Sequence, residues 1–219
     1  MTDYATQRKS MVDSQVRPSD VTDRAIPRAM LEVPRHEFVA EALRGIAYMD
    51  DDLRVSDGNG AGRFLLAPRV LSKMMQHLEI APGNRVLDVA CATGYSTAVL
   101  AHLGARVVAL ECDAGLAEQC RAALAGTKDV QVVTGPLRDG AAMQGPYDAI
   151  LINGAVADIP AGLRDQLKDG GRLVAVEVRG GVGKAVLWKR TGTRFDSREL
   201  FDASAPMLPG FEPKREFVF

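Results

Sequence analysis

Arg85-Val-Leu-Asp-Val-Ala-Cys-Ala-Thr-Gly-Tyr95 is the stretch that decides the fold. Its first five residues form a short, near-continuous apolar run, the pattern of a strand covered on both faces. Small residues then make a tight turn, and a helical stretch covers 95–103. The same rhythm repeats downstream. Apolar runs at 106–110, 130–133, 147–152 and 172–176 are interleaved with helical stretches at 114–124 and 161–167, and Gly170-Gly171 is the expected turn before the run at 172. Strand–helix–strand units of this kind build a parallel sheet with right-handed crossovers. The runs 185–189 and 198–201, linked through Thr191-Gly192-Thr193 with no helix between them, predict a closing antiparallel hairpin.

Upstream of this core, which takes up 81–219, residues 1–80 read as a helical extension packed on it, the whole forming one compact domain. Residues 6–16 are an amphipathic helix that ends before Pro18. Residues 24–32 are a second, with Pro27 near the first turn because a mid-helix proline costs about 3 kcal/mol. Asp57-Gly-Asn-Gly-Ala-Gly62 reads as a flexible loop, and 68–78 as a helix leading into the strand at Arg85. The apolar end, Glu216-Phe-Val-Phe219, is expected to pack on the sheet edge or on a second subunit.

The chain has 219 residues, 47% apolar and 25% charged, which is globular composition and excludes a disordered or collagen-like chain. A net charge of −1 gives no field that would draw it to nucleic acid or to anionic lipid. The N-terminus carries no basic segment followed by an apolar one, and no apolar run is long enough to span a membrane, so a cytoplasmic protein is expected. Three cysteines in no CxxC pair (Cys91, Cys112, Cys120) fit reduced thiols. With His36, His77 and His102 they make no metal spacing, and no metal is expected.

The turn after 85–89 can bring backbone amides and a helix N-terminus up to a polar ligand. At Gly94 the backbone needs either a positive φ or close approach of that ligand. Glu111, at the end of the next strand, is placed to accept hydrogen bonds from ribose hydroxyls. A dinucleotide fingerprint would put glycines at 90, 92 and 95, where the chain has Ala90, Ala92 and Tyr95, and a tyrosine at the third place spoils close helix–strand packing. The G-x-G-x-G pattern of S-adenosylmethionine (SAM) methyltransferases ends at Gly94, which this chain keeps.

Val33-Pro-Arg-His-Glu-Phe-Val39, Ala47-Tyr-Met-Asp50, Val86-Leu-Asp-Val89 with Gly94-Tyr95, Tyr147-Asp-Ala-Ile150 and Leu163-Arg-Asp-Gln-Leu-Lys-Asp-Gly-Gly-Arg-Leu-Val174 together resemble protein-L-isoaspartate O-methyltransferases, over about 11–176. The resemblance implies a Rossmann-like α/β fold: a seven-stranded, mostly parallel sheet with helices on both faces and an antiparallel C-terminal hairpin. It implies SAM as methyl donor and methyl esterification of isoaspartyl carboxylates in damaged protein or peptide, by a monomer or a dimer that binds neither nucleic acid nor membrane. The cofactor residues it points to are Asp88, Ala90, Cys91, Ala92, Thr93, Gly94, Glu111, Gly135 and Asn153. The substrate residues are Arg63, Phe64, Leu65, Leu66, Gly154 and Glu177. No catalytic residue is assigned, since a carboxylate nucleophile needs no general base.

Four departures from the family pattern bear on activity. Alanines replace the glycines at 90 and 92. Gly135-Pro-Leu137 stands where the family has Gly-Asp-Gly, so the adenine-side acid is lost. Phe64-Leu-Leu-Ala-Pro68 stands where the family has Thr-Ile-Ser-x-Pro, so two substrate hydroxyls are lost. Glu177-Val178 replaces Val-Gly, a carboxylate that could repel an anionic substrate unless Arg63 offsets it. These changes leave open a degenerate member that binds SAM weakly or not at all, a methyltransferase or sensor with another target, and a non-catalytic scaffold.

Overall fold

The computed structural model describes residues 3–56 and 62–213. Most of the glycine loop (57–61) and the apolar end at 216–219 lie outside the described residues.

Seven strands form the main sheet in the order β5-β4-β3-β6-β7-β8-β9. They are β3 (Arg85–Val89), β4 (Arg106–Glu111), β5 (Val130–Thr134), β6 (Tyr147–Val156), β7 (Leu167–Arg179), β8 (Val182–Thr191) and β9 (Arg194–Asp202). β5, β4, β3, β6 and β7 run parallel, and β8 and β9 close the sheet by antiparallel pairing. The chain leaves β3 toward β4 and β5 and then returns to lay β6 on the other side of β3. The crevice beyond the carboxyl ends of β3 and β6 is therefore the switch point where such sheets hold ligands.

Alternate residues of each buried strand face opposite layers. On β7, Val174 and Val176 join one core cluster, while Leu173 and Ala175 join the other. The first cluster also holds Met11, Val16, Ile26 and Met30, so α1 (Tyr4–Met11) and α2 (Ala25–Glu32) share one core with α3 (Pro68–Leu78), α4 (Tyr95–His102) and α5 (Ala114–Ala123). Asp3 caps α1 by accepting from the Thr6 amide at 3.0 Å, and Asp113 caps α5 by accepting from the Leu116 amide at 3.0 Å. Pro27 lies in the first turn of α2 and Pro68 opens α3.

Four details differ from the sequence reading. Residues 12–16 continue the first helix as a π-helical turn, closed by the Arg17 amide on the Val12 carbonyl. The helix before β7 is only α6 (Ala161–Arg164), because Leu167 is already a strand residue paired with Tyr147. Gly170-Gly171 is then an irregularity inside β7, where the register with β6 shifts, rather than a turn before it. The N-terminal extension is not wholly helical: β1 (Leu53–Ser56) and β2 (Arg63–Leu65) pair as a separate antiparallel ribbon. Two strands this short, with a charged residue at Arg54 and Arg63, gave no alternation to read.

Candidate functional site

The turn after β3 has the conformation of a glycine loop without its first two glycines. Ala90 and Ala92 sit at φ +65° and +51°, and Gly94 at φ +98°. Left-handed backbone costs an alanine roughly 1–2 kcal/mol, so the surrounding packing holds the turn in place. Gly94 is required for a second reason. A Cβ there would lie 2.7 Å from Cys120 Sγ and 3.1 Å from Leu124 Cδ1, so the space it leaves is taken by α5, not by a ligand.

Asp88 and Asn153, expected on the cofactor, turn to each other at the switch point. Asp88 is fully buried and accepts from Ser96 Oγ at 2.7 Å, from Thr97 Oγ1 at 2.6 Å and from the Asn153 side-chain amide. Burial pushes its pKa up to about 6 in spite of these three donors. Asp88 thus pins the first turn of α4 to β3 and β6. Thr93 donates to the Phe38 carbonyl at 2.6 Å, tying the turn to the N-terminal extension. Cys91 lies 3.9 Å from Cys120, sulfur to sulfur, and that contact together with burial raises its pKa.

Glu111 stands at the carboxyl end of β4, and both of its carboxylate oxygens are taken up. The amides of Ala92, Cys112 and Asp113 donate to it at 2.8, 2.9 and 3.2 Å. Arg63, reaching over from β2, adds two bonds, Nε to Oε1 at 3.1 Å and Nη2 to Oε2 at 2.8 Å. Both side chains are dry, with 0% of Glu111 and 5% of Arg63 exposed. Burial alone would raise the Glu111 pKa, but the Arg63 bonds and charge, joined by the Asp113 and Ala92 amides, outweigh it and hold the carboxyl below its ordinary value.

Phe64, Leu65 and Leu66 follow Arg63 down onto the turn. With Ala90, Cys91, Tyr95, Ser96 and Asn153 they enclose a cavity of about 10 Å³. That is room for about one water, whereas a drug-sized ligand needs roughly 300 Å³ or more. The segment is held from behind by Arg35, a wholly buried residue whose guanidinium donates to the carbonyls of Ala47, Leu65 and Leu66 and stacks 4.7 Å from the Tyr95 ring. Arg35 belongs to the Val33–Val39 segment. The sequence marked it as family-specific but carried no signal for this anchoring role.

The structure therefore gathers Arg63, Phe64, Leu65, Leu66, Ala90, Cys91, Ala92, Glu111 and Asn153 at one place. Gly154 and Glu177 lie apart from it, while Gly135 borders it through the Glu111 backbone. Gly135 donates to the Glu111 carbonyl at 3.1 Å and continues the β4–β5 pairing, beside an exposed Pro136. Gly154 is covered by the C-terminal segment, since a Cβ on it would meet Leu208 Cδ2 at 2.5 Å. Glu177 is not offset by Arg63. Its carboxylate accepts from Trp188 Nε1 and from Arg179 Nη2, both at 2.6 Å, in a separate cleft beside β8 and β9. Among the described residues no group of three or more His, Cys, Asp or Glu side chains could hold a metal.

Residues 6–193 match the family model described as protein-L-isoaspartate(D-aspartate) O-methyltransferase. The chain belongs to that family. The protein-L-isoaspartate O-methyltransferase of Methylorubrum extorquens is 39% identical over 211 residues, covering 95% of this chain and 91% of that one. That of Methanoculleus marisnigri is 39% identical over 171 residues, 77% of this chain and 76% of that one. Two solved structures share the fold. One is a protein-L-isoaspartate O-methyltransferase with a TM-score of 0.83 at 24% identity, which covers 93% of this chain and 66% of the other. The second, assigned to the same family in Plasmodium falciparum and solved with S-adenosyl-L-homocysteine, has a TM-score of 0.77 at 20% identity and covers 90% of this chain and 96% of its own.

The family's methyl donor does not fit this member's site as it is packed. Glu111 has no lone pair left for a ribose while Arg63 and the amides bond it, and the cavity between the turn and the Phe64–Leu66 segment holds about one water.

Proposed function

We propose that this chain is a SAM-dependent O-methyltransferase that esterifies isoaspartyl carboxylates in damaged protein or peptide. One observation carries the reading: the chain that matches the isoaspartate family over residues 6–193 also has a buried carboxylate, Glu111, at the end of the second strand of the nucleotide half, against a turn in glycine-loop conformation. A carboxylate nucleophile is ionised at neutral pH, so the reaction asks for no general base. What the protein must supply is alignment, which is worth roughly 7–11 kcal/mol in well-oriented reactions. The rigid turn, pinned by Asp88, Thr93 and α5, is suited to that. The free thiols Cys91, Cys112 and Cys120 suit a reducing compartment, and we place the protein in the cytoplasm. Among the described residues no helix is long and apolar enough to cross a membrane.

The test is methyl transfer from radiolabelled SAM to a pair of peptides of one sequence, one with an isoaspartyl and one with an aspartyl linkage, read as base-labile volatile label. Label released from the isoaspartyl peptide alone is the expected result. Label on both peptides, or on neither while SAM demonstrably binds, overturns isoaspartate as the substrate.

A further inference from the structure

We propose that Arg35 and Asp52 are positioning residues for the methyl acceptor: together they clamp the Leu66–Ala67 peptide unit and so fix where the segment 64–66 meets the turn after β3. The inference rests on the methyltransferase reading above and says what aligns the substrate side of that site.

Three observations carry it. First, one peptide unit is gripped at both poles. Arg35 Nη2 donates to the Leu66 carbonyl at 3.0 Å, and the Ala67 amide donates to Asp52 Oδ1 at 2.8 Å. The C=O and N–H of a trans peptide point to opposite sides, so a guanidinium on one and a carboxylate on the other leave the plane no freedom to turn. The flanking groups are fixed as well. The Leu65 carbonyl accepts from the same Nη2 at 3.4 Å, and the Ala67 carbonyl accepts from the Leu71 amide at 3.0 Å in the first turn of α3. Second, the clamped segment faces the turn. Phe64, Leu65 and Leu66 line one cavity with Ala90, Cys91 and Asn153. Phe64 and Leu66 stand where the family carries its two substrate hydroxyls, so the placement of the backbone, not a side-chain bond, is what the segment contributes to alignment. Third, the fastening costs more than a loop needs. Arg35 is wholly buried, its Nη1 has no hydrogen-bond partner, and the acid whose charge acts on it, Asp52, spends an oxygen on the Ala67 amide. An apolar side chain would fill the same space without burying a cation, so the geometry that the cation enforces is what the chain retains.

A displacement of about 1 Å at a reacting group can cost around a hundredfold in rate. Methyl transfer from radiolabelled SAM to the isoaspartyl peptide is measured on the full chain for wild type, Asp52→Ala, Asp52→Asn and Arg35→Lys. Each rate is divided by the number of competent sites, counted by calorimetry with S-adenosyl-L-homocysteine. Alanine at 52 frees the Ala67 amide, asparagine keeps an acceptor oxygen for it, and lysine at 35 keeps the charge but loses the fork. Asp52→Ala is expected to lose at least about tenfold in kcat per site while its KM for SAM stays within about threefold of wild type, and Asp52→Asn to recover most of that loss. A role in stability alone would lower the melting temperature or the site count and leave kcat per site unchanged. That result in Asp52→Ala overturns the proposal, and so does an Asp52→Asn no better than the alanine. Arg35→Lys is expected to match Asp52→Ala, and a wild-type kcat per site in it overturns the assignment of Arg35. If the lysine variant does not fold, the Asp52 series decides. A wild type that fails to bind the probe or to label the peptide is a different result: it overturns the methyltransferase reading, and this role with it.

Discussion

Arg63→Met in the ligand-free protein tests the buried pair by its effect on stability and on the sign of a pH dependence. The substitution leaves Glu111 at 0% exposure with its three amide donors but without its counter-charge. Breaking one side of a buried pair costs about 3–5 kcal/mol. The surviving amides, and the removal of the buried guanidinium with its own desolvation, place the expected loss at the low end, about 3 kcal/mol near pH 7.5. In wild type the folded Glu111 pKa lies below its ordinary value. It therefore contributes stability above that ordinary value, and the contribution is lost as pH falls through the folded one. Without Arg63 burial dominates, the folded pKa rises above the unfolded one, and Glu111 favours folding at low pH and opposes it as pH climbs. Asp88, raised to about 6, titrates in both proteins, and its coupling to Glu111 is the smallest of the causes of its shift. Urea unfolding followed by circular dichroism from about pH 4 to pH 7.5 should show the gap between the two proteins widening as pH rises. Adding Glu111→Gln to the variant should return at least about 1 kcal/mol near pH 7.5. A gap below about 0.5 kcal/mol, or one that does not change with pH, refutes the assignment of Arg63 and Glu111 as a dry, mutually dependent pair.

Two further outcomes follow from the turn. In Ala90→Gly/Ala92→Gly, relief of left-handed strain (roughly 1–2 kcal/mol per residue) is opposed by unfolded-state entropy (about 0.4–1) and by one lost buried methyl (about 0.8), so stability by urea unfolding should move less than about 1 kcal/mol per site. Affinity for S-adenosyl-L-homocysteine by calorimetry should rise, and equal or weaker binding would clear the alanines as an obstacle. Gly94→Ala must push a Cβ into Cys120 Sγ at φ +98°, so a thermal melt should report a loss of about 2–4 kcal/mol, part of which returns in Gly94→Ala/Cys120→Ala.

Most of the sheet was legible because its strands are covered on both faces. Val86, Leu87, Leu151, Val174 and their neighbours must be apolar wherever the chain crosses the core, and α5 between two of the strands carries its own Asp113 cap. Legibility failed where pairing is not periodic. β1 and β2 are too short and too charged to show alternation, and the strand start at Leu167 is set by Tyr147 across the sheet rather than by anything next to it. The positive φ at Gly94 was legible in the turn pattern, but its crowding by α5 depends on a helix 20 residues downstream.

By itself the sequence determined the layered α/β core, the glycine-type turn ending at Gly94, the acid at the end of the next strand and the family to which the chain belongs. Each of these is written in local patterning or in contiguous motifs. Only the tertiary structure decided that Arg63 sits on Glu111, that Glu177 belongs to Trp188 and Arg179, and that Arg35 holds the Leu65–Leu66 backbone from inside. The physical reason is that a buried charge takes its partner from whatever group the packing brings within about 3 Å, and residues 63 and 111 stand 48 positions apart with no periodicity to join them.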